Sequence, residues 1–505
     1  MGYLSLLLAL PLVGAALIAL LPGDNTTLIR RLAVTAAIAT LCLSWSLVLG
    51  FDTAVAGMQY AESTHWNERL GTTYALGVDG VSLPLVMLAT LLALVAIMAS
   101  KSIQDRPKGY YVLMLVLETA MLGVFTAQDW ALFYVFWELT LIPLFFLIDR
   151  WGGKPAAAPG ASGMPTVHSG KGRAGASLNF VLYTMGGSVF MLIALLMLFD
   201  TLPGHSFAME DMIDGARGLP EQTQILVFLG FLIGFGVKMP IFPIHGWLPL
   251  AHVEAPSPVS ILLSGILLKM GSYGLLRAVF MLPDAAIALQ GVLVGIALLS
   301  LVYGGLLAWR QTDLKAMIAY SSVSHMGVVL VGIAALNVTG ITGAVMQMVA
   351  HGLVAGALFL LIGLLYERTK TRELTHYSSL VRVTPRFAFF TVLAFVAAVG
   401  LPGTAGFVAE LHTLIGGFQQ WGWLMVLLSI GVLISAAYAV RTVSRLFTGP
   451  VRPQMRSIPD LRPSEAFAAS VLTAGTLLIG IFPAPALRLT ATTVAYLSAG
   501  ITGQF

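Results

Sequence analysis

The chain has 505 residues, of which 58% are hydrophobic and only 10% charged, and a net charge of +4; its mean hydropathy is +0.89. Soluble domains carry roughly 25% charged residues, so a soluble globular enzyme is excluded and a polytopic membrane protein is indicated. The single cysteine, Cys42, excludes an internal disulfide, a multi-cysteine iron–sulfur site and a cysteine-rich zinc site, and the basic residues are spread over separate loops with no compact nucleic-acid patch.

Apolar runs of about 20 residues, the length that crosses a bilayer, recur from Leu4 almost to the end. In lipid the backbone must satisfy its own hydrogen bonds, so these runs are helices and the fold class is all-α. The first run continues into further spans without a basic leader, and reads as a span rather than a cleaved signal. Hydropathy with Pro, Gly and charge punctuation predicts fourteen spans, beginning near residues 3, 32, 78, 110, 130, 178, 224, 257, 286, 316, 339, 387, 423 and 466. An even count puts both termini on one side. Of the 27 Lys and Arg residues, 21, Lys315 among them, fall in one set of alternate loops, and only Arg69, Arg217, Arg277 and Arg488 in the other. The positive-inside rule then predicts both termini outside the cytoplasm.

In chain order, residues 1–109 hold spans one to three and residues 449–505 a single last span. The loops are too short for a soluble catalytic domain. The longest, from Trp151 to about Ala176, is rich in Gly, Pro, Ala and Ser and has the composition of a flexible linker. Its GMPTVHSGKG stretch departs from a phosphate loop in spacing, with Gly172 where Ser or Thr should follow Lys171. Two spans are interrupted alike: residues 234–258 read GFGVKMPIFPIHGWLPLAHVEAPSP and residues 398–412 read AVGLPGTAGFVAELH, with Pro and Gly where an intact helix avoids them. They are spans seven and twelve. Paired broken helices in corresponding positions mark inverted-repeat transporters, which predicts repeats of five helices over 110–283 and 284–448.

Few ionisable groups remain inside the spans: Glu118, Glu138, Lys238, Lys269 and Glu410, with His325 and His351 as titratable neighbours. A charge at mid-membrane costs at least about 2.5–3.5 kcal/mol, so each is a functional candidate. Three Glu against two Lys are nearly balanced, as mutual pairing requires. Glu138 lies in WALFYVFWELTLIPLFFLI and Lys238 precedes a proline. Opposed, the two favour each other's charged forms while desolvation favours the neutral ones, so a shift of Glu138 would ease release of the Lys238 proton. The competing reading is a static buried pair that fixes helix register. Lys269 lies in SPVSILLSGILLKMGSYGLLR, and His325 in AYSSVSHMGVV beside Ser321, Ser322 and Ser324. His351 opens HGLVAGALF, whose small residues allow close helix contact or a wet gap. Glu118, Ser322, Ser324 and His245 are accessory candidates. His245 and His252 lie seven apart without a matched carboxylate, so no metal site is expected, nor is any cofactor motif found.

The segments FFLIDRWGG, GVKMPIFPIHGWLPLAHVEAPSPVS, GILLKMGSYGLLR, AYSSVSHMG and LPGTAGFVAELHTL resemble the antiporter-like proton-pumping subunits of respiratory complex I, over nearly the whole chain. Mrp-type cation/proton antiporters and membrane-bound hydrogenases share these motifs. The resemblance implies a proton path with Glu138 paired to Lys238, a central relay through Lys269, His325 and His351, and Glu410 as terminal group. It favours the M type, which is similar in carrying Glu at that last position and in stopping soon after its last span. Leu250 stands where many relatives have Asp in WLPDAH, and the insertion after Trp151 is atypical. The implied partners are other membrane subunits of an NADH-quinone oxidoreductase in a bacterial-type inner membrane, with flavin, iron–sulfur clusters and quinone held by partner subunits. The alternatives are a subunit of an Mrp-like antiporter, a hydrogenase or a ferredoxin–plastoquinone complex, and, from another class, a non-conducting membrane spacer.

Overall fold

The computed structural model describes residues 2–23, 25–153 and 172–503. Most of the expected flexible connection, with Lys154, Lys171 and GMPTVHSGKG, lies outside the described residues. Asn25 caps the second of two long apolar helices, α1 (Tyr3–Leu20) and α2 (Thr26–Gly50), by accepting from the amide of Leu28. An antiparallel hairpin that the sequence reading did not anticipate follows, β1 (Gln59–Asn67) and β2 (Thr72–Val78). It turns at Gly71, whose φ of +57° suits glycine.

Next come α3 (Ser82–Ala99) and α4 (Pro107–Thr126). The fifth span divides at Thr140 into α5 (Trp130–Leu139) and α6 (Leu141–Trp151); nearby Pro143 has no N–H to return to the preceding turn. The sixth is α7 (Gly172–Thr201), with short α8 (Met209–Arg217) after it. Span seven is broken as expected into α9 (Glu221–Lys238) and α10 (Trp247–Glu254). Span eight joins α11 (Ser257–Leu262), a π-helical turn at Leu263–Leu267 and α12 (Leu268–Met281). After α13 (Pro283–Ala288) come α14 (Gln290–Arg310), α15 (Leu314–Ala334) and α16 (Val338–Thr369). Span twelve is broken into α17 (Pro385–Ala398) and α18 (Ala405–Trp421), before α19 (Val426–Phe447), α20 (Pro463–Ile481) and α21 (Ala484–Thr502).

Among the described residues twelve helices are long and apolar enough to cross a membrane. The expected count was fourteen. The difference lies in broken span seven, which has no helix of that kind, and in α18 and α19, which run together over Ala405–Phe447. Among the described residues of 449–505 one helix, α20, is such a span; α21 follows it, and Thr492 and Thr493 donate to the carbonyls of Thr53 and Ala56 beside the hairpin.

Helices that are apolar all round belong inside a bundle, and the span Ser257–Met281 and the core of α16 are wholly buried while α1, α2 and α20 keep most of their surface outward. Glycines set the closest approaches. A Cβ at Gly271 would strike the backbone of Phe235 in α9 and of Met239 just beyond it, and one at Gly343 the backbone of Thr413 on α18. These two glycines draw the helices carrying Lys238 and Glu410 onto the buried centre.

Two basic residues assigned to loops are in fact buried. Arg277 lies in α12 and donates to Asp79 at 2.6 Å, with Tyr273 under its guanidinium. Lys315, in the first turn of α15, donates to the carbonyl of Ala255 at 2.7 Å. Both sit at span ends, where hydropathy places a boundary only to within a turn or so.

Candidate functional site

The buried ionisable groups fall into two clusters. In the first, Lys238 is the last residue of α9, where Pro240 prevents regular continuation. Its Nζ donates to Thr140 Oγ1 at 3.0 Å and lies over the rings of Trp137 and Phe180 at 5.1 and 5.9 Å. Thr140 is available because it stands at the break between α5 and α6, its hydroxyl bonded back to Trp137 O. Glu138 is the charged neighbour of Lys238, but no contact within 4.0 Å joins them among the described residues. Glu138 also lines an outward crevice with Tyr134, Ile142 and Phe145, and has a buried, unpaired Oε1. The counter-charge thus stands beyond ion-pair reach, while a hydroxyl holds the ammonium.

The second cluster is built around the π-helical turn. A π turn displaces the regular i→i−4 bonding, and the carbonyl of Ser264 accepts from Lys269 Nζ at 2.5 Å. The same Nζ meets His351 Nδ1 at 2.6 Å. The other ring nitrogen of His351, Nε2, is buried and unpaired. The His351 and His325 rings are 5.4 Å apart. His325 Nδ1 faces Gln347 Nε2 at 3.4 Å and Glu410 Oε1 at 3.8 Å. The last distance exceeds a hydrogen bond but is within reach of one bridging water or a small side-chain turn. Glu410 occupies the space over Gly400, φ +75°, where a Cβ would collide with its carboxylate. This arrangement presents a proton with an amine, two imidazoles and a carboxylate in succession.

Of the accessory candidates, Ser322 meets Ser264 Oγ at 3.0 Å and so borders the second cluster. Ser324 does not; its hydroxyl donates to Leu301 O on α14. His245 packs against Phe242, Tyr303 and Tyr320, and Glu118 is buried with both oxygens unpaired, apart from either cluster's hydrogen bonds. No hydrogen bond joins Lys238 to Lys269 among the described residues. No group of three or more potential metal ligands exists among them either.

Residues 127–435 match the family described as NADH:quinone oxidoreductase/Mrp antiporter, transmembrane, and residues 9–128 match NADH-ubiquinone oxidoreductase chain 4, amino terminus. The chain belongs to the NADH:quinone oxidoreductase/Mrp antiporter family. It is 40% identical to NADH-quinone oxidoreductase subunit M of Rhodobacter capsulatus, over 98% of this chain and 96% of that protein. It is 39% identical to an NAD(P)H-quinone oxidoreductase chain 4 of Thermosynechococcus vestitus, over 95% and 89%. Among solved structures it superposes on a chain of respiratory complex I from Thermus thermophilus with a TM-score of 0.88 at 32% identity, covering 99% of both chains. The Mrp complex of Dietzia shares the fold, with a TM-score of 0.83 at 20% identity over 99% of this chain and all of that one.

Within this family member, one buried group escaped the sequence reading. His252, weighed only as a metal ligand, stacks on Phe359 at 4.4 Å with both ring nitrogens buried and unpaired. Its charged neighbours are Lys315 and Lys269. The signal that would have found it is its place in the second half of a broken helix, where a polar ring has no loop to face.

Proposed function

We propose that this chain carries protons across the membrane through Lys269, His351, His325 and Glu410, with Lys238 as the switch and Lys315 and His252 on the approach from the basic face. The chain is a membrane subunit, M or chain 4 type, of an NADH-quinone oxidoreductase. The observation that carries the path is the close succession of groups from Lys269 to Glu410, with Nζ to Nδ1 at 2.6 Å, ring centroids 5.4 Å apart and Nδ1 to Oε1 at 3.8 Å. A non-conducting spacer has no use for four titratable groups so aligned, since each raises the cost of the buried core.

In this reading 110–283 and 284–448 are two inverted repeats, each with one broken helix, and both termini lie on the non-cytoplasmic side of an inner membrane. Electron transfer, with its flavin, iron–sulfur clusters and quinone, belongs to partner subunits. Neighbouring antiporter-like subunits complete the assembly. Lys269→Met should assemble and lose proton pumping in inverted vesicles; pumping at the wild-type rate would remove the central relay from the path. Mild-detergent purification should bring down an NADH dehydrogenase arm, whereas hydrogenase or Mrp subunits in its place would overturn the choice of complex.

A further inference from the structure

The helix ends that meet at the basic face of spans one to four enclose two adjoining cavities. One, of about 680 Å³, is lined by Thr26, Arg30, Arg31, Lys101, Gln104 and Tyr111, among others. The other, of about 670 Å³, shares Thr26 and Gln104 and adds Arg106 and Lys108. Five cations therefore surround the two spaces, and no described carboxylate lines either of them. None of the five makes an ion pair with a described carboxylate; Lys108 donates to Leu21 O, at the end of α1. Topology alone requires positive charge on this face. It does not require that the charges be gathered around a hollow whose described lining holds no carboxylate.

The hollow opens onto an apolar surface. From Arg31 and Thr35 the exposed side of α2 continues through Ile38, Cys42 and Trp45, at the three- and four-residue steps that keep one helix face outward. Thr35 to Trp45 spans roughly 15 Å at 1.5 Å per residue, about half of a hydrocarbon core of roughly 30 Å. A cationic hollow at the head-group level above an apolar stripe one leaflet long matches a lipid in both its parts. We propose that the cavities seat the head group of an anionic phospholipid, whose acyl chains lie along the outward face of α2. A free phosphate fits the cations but leaves the stripe unexplained, and a zwitterionic lipid fits the stripe but leaves the cations uncompensated.

The test uses the assembled complex in nanodiscs of phosphatidylcholine doped with a photoreactive phosphatidylglycerol, with labelled peptides identified by mass spectrometry. The label should fall on peptides covering 26–45 and 101–111. It should be displaced by unlabelled phosphatidylglycerol, and neither by phosphatidylcholine nor by inorganic phosphate. An Arg30→Gln, Arg31→Gln, Lys101→Gln variant should bind the anionic lipid roughly a hundredfold more weakly, at about fivefold for each cation removed, with quinone reduction unchanged. Displacement by inorganic phosphate would make this an ion site. Equal labelling by a phosphatidylcholine probe, or undiminished labelling of the variant, would remove the head-group role. Should the variant fail to assemble, the displacement experiments on the unaltered complex decide.

Discussion

The two broken helices end differently around their charges. In span seven the cation Lys238 closes the first half, α9, where unsatisfied carbonyls make the helix end negative. In span twelve the acid Glu410 lies in the second turn of the second half, α18, whose start at Ala405 is positive. Each charge thus sits toward the helix end that favours it, with Lys238 the better placed because the effect fades beyond one turn. Their partners differ as well: Lys238 has one hydroxyl and two aromatic walls, whereas Glu410 stands over Gly400 with His325 beyond hydrogen-bond distance. The comparison separates a held cation that must let go from an unheld acid that must find its donor.

Replacing Lys238 should break this arrangement most severely. Lys238→Ala and Lys238→Arg should both reduce pumping by about a hundredfold or more, the scale of losing a proton-transfer group, because Ala has no proton and guanidinium does not release its own. Proton uptake by inverted vesicles measures it, and normal pumping with Arg would end the switch reading. Glu410→Gln keeps shape and hydrogen bonding but cannot titrate, and should lose about tenfold or more. Glu410→Asp, a shorter acid, should keep part of the activity. A wild-type ratio of protons to electrons in Glu410→Gln would make that residue structural.

The helices were legible in the sequence because lipid leaves the backbone no alternative, and both interruptions announced themselves by Pro and Gly. The buried groups were legible for the same reason: a Lys or Glu amid apolar residues is costly wherever it points. Orientation was not. Glu138 and Lys238 are charged neighbours, but a helix surface turns about 100° per residue, and it is Thr140, two residues on, that meets the amine. Lys315 and Arg277 were misplaced because a span boundary read from hydropathy blurs over a turn, enough to move a buried cation into a loop. The π turn at Leu263–Leu267 has no sequence mark at all.

Thr140→Val is a milder probe of the first site. It removes the only hydrogen bond that Lys238 makes among the described residues while keeping the volume near the ammonium. A hydrogen bond to a charged group contributes about 1.5–3 kcal/mol, so the switch should be mistuned by roughly tenfold, and Thr140→Ser should restore most of it. If Val pumps as well as Thr, another group holds the amine and the break at Thr140 serves only packing.

The smallest expected effect separates the two serines beside His325. Ser322 Oγ is 3.0 Å from Ser264 Oγ and borders the carbonyl that holds Lys269. Ser324, two residues on, faces α14 and donates to Leu301 O. Ser→Ala removes the contacts to Ser264 Oγ and Ile318 O at Ser322 and the single bond to Leu301 O at Ser324, each neutral hydrogen bond being worth about 0.5–1.5 kcal/mol. At Ser322 that loss falls beside the relay, and pumping should drop a fewfold, about threefold to tenfold, with the complex intact. At Ser324 it falls on an acceptor already bonded within its helix, so pumping should stay within about twofold of wild type and any change should appear in thermal stability. Vesicle pumping rates for the two variants, measured on equal amounts of assembled complex, give the comparison. The reverse order would mean that protons run along the α14 side of His325, and the line from Lys269 to Glu410 would have to be redrawn through Ser324.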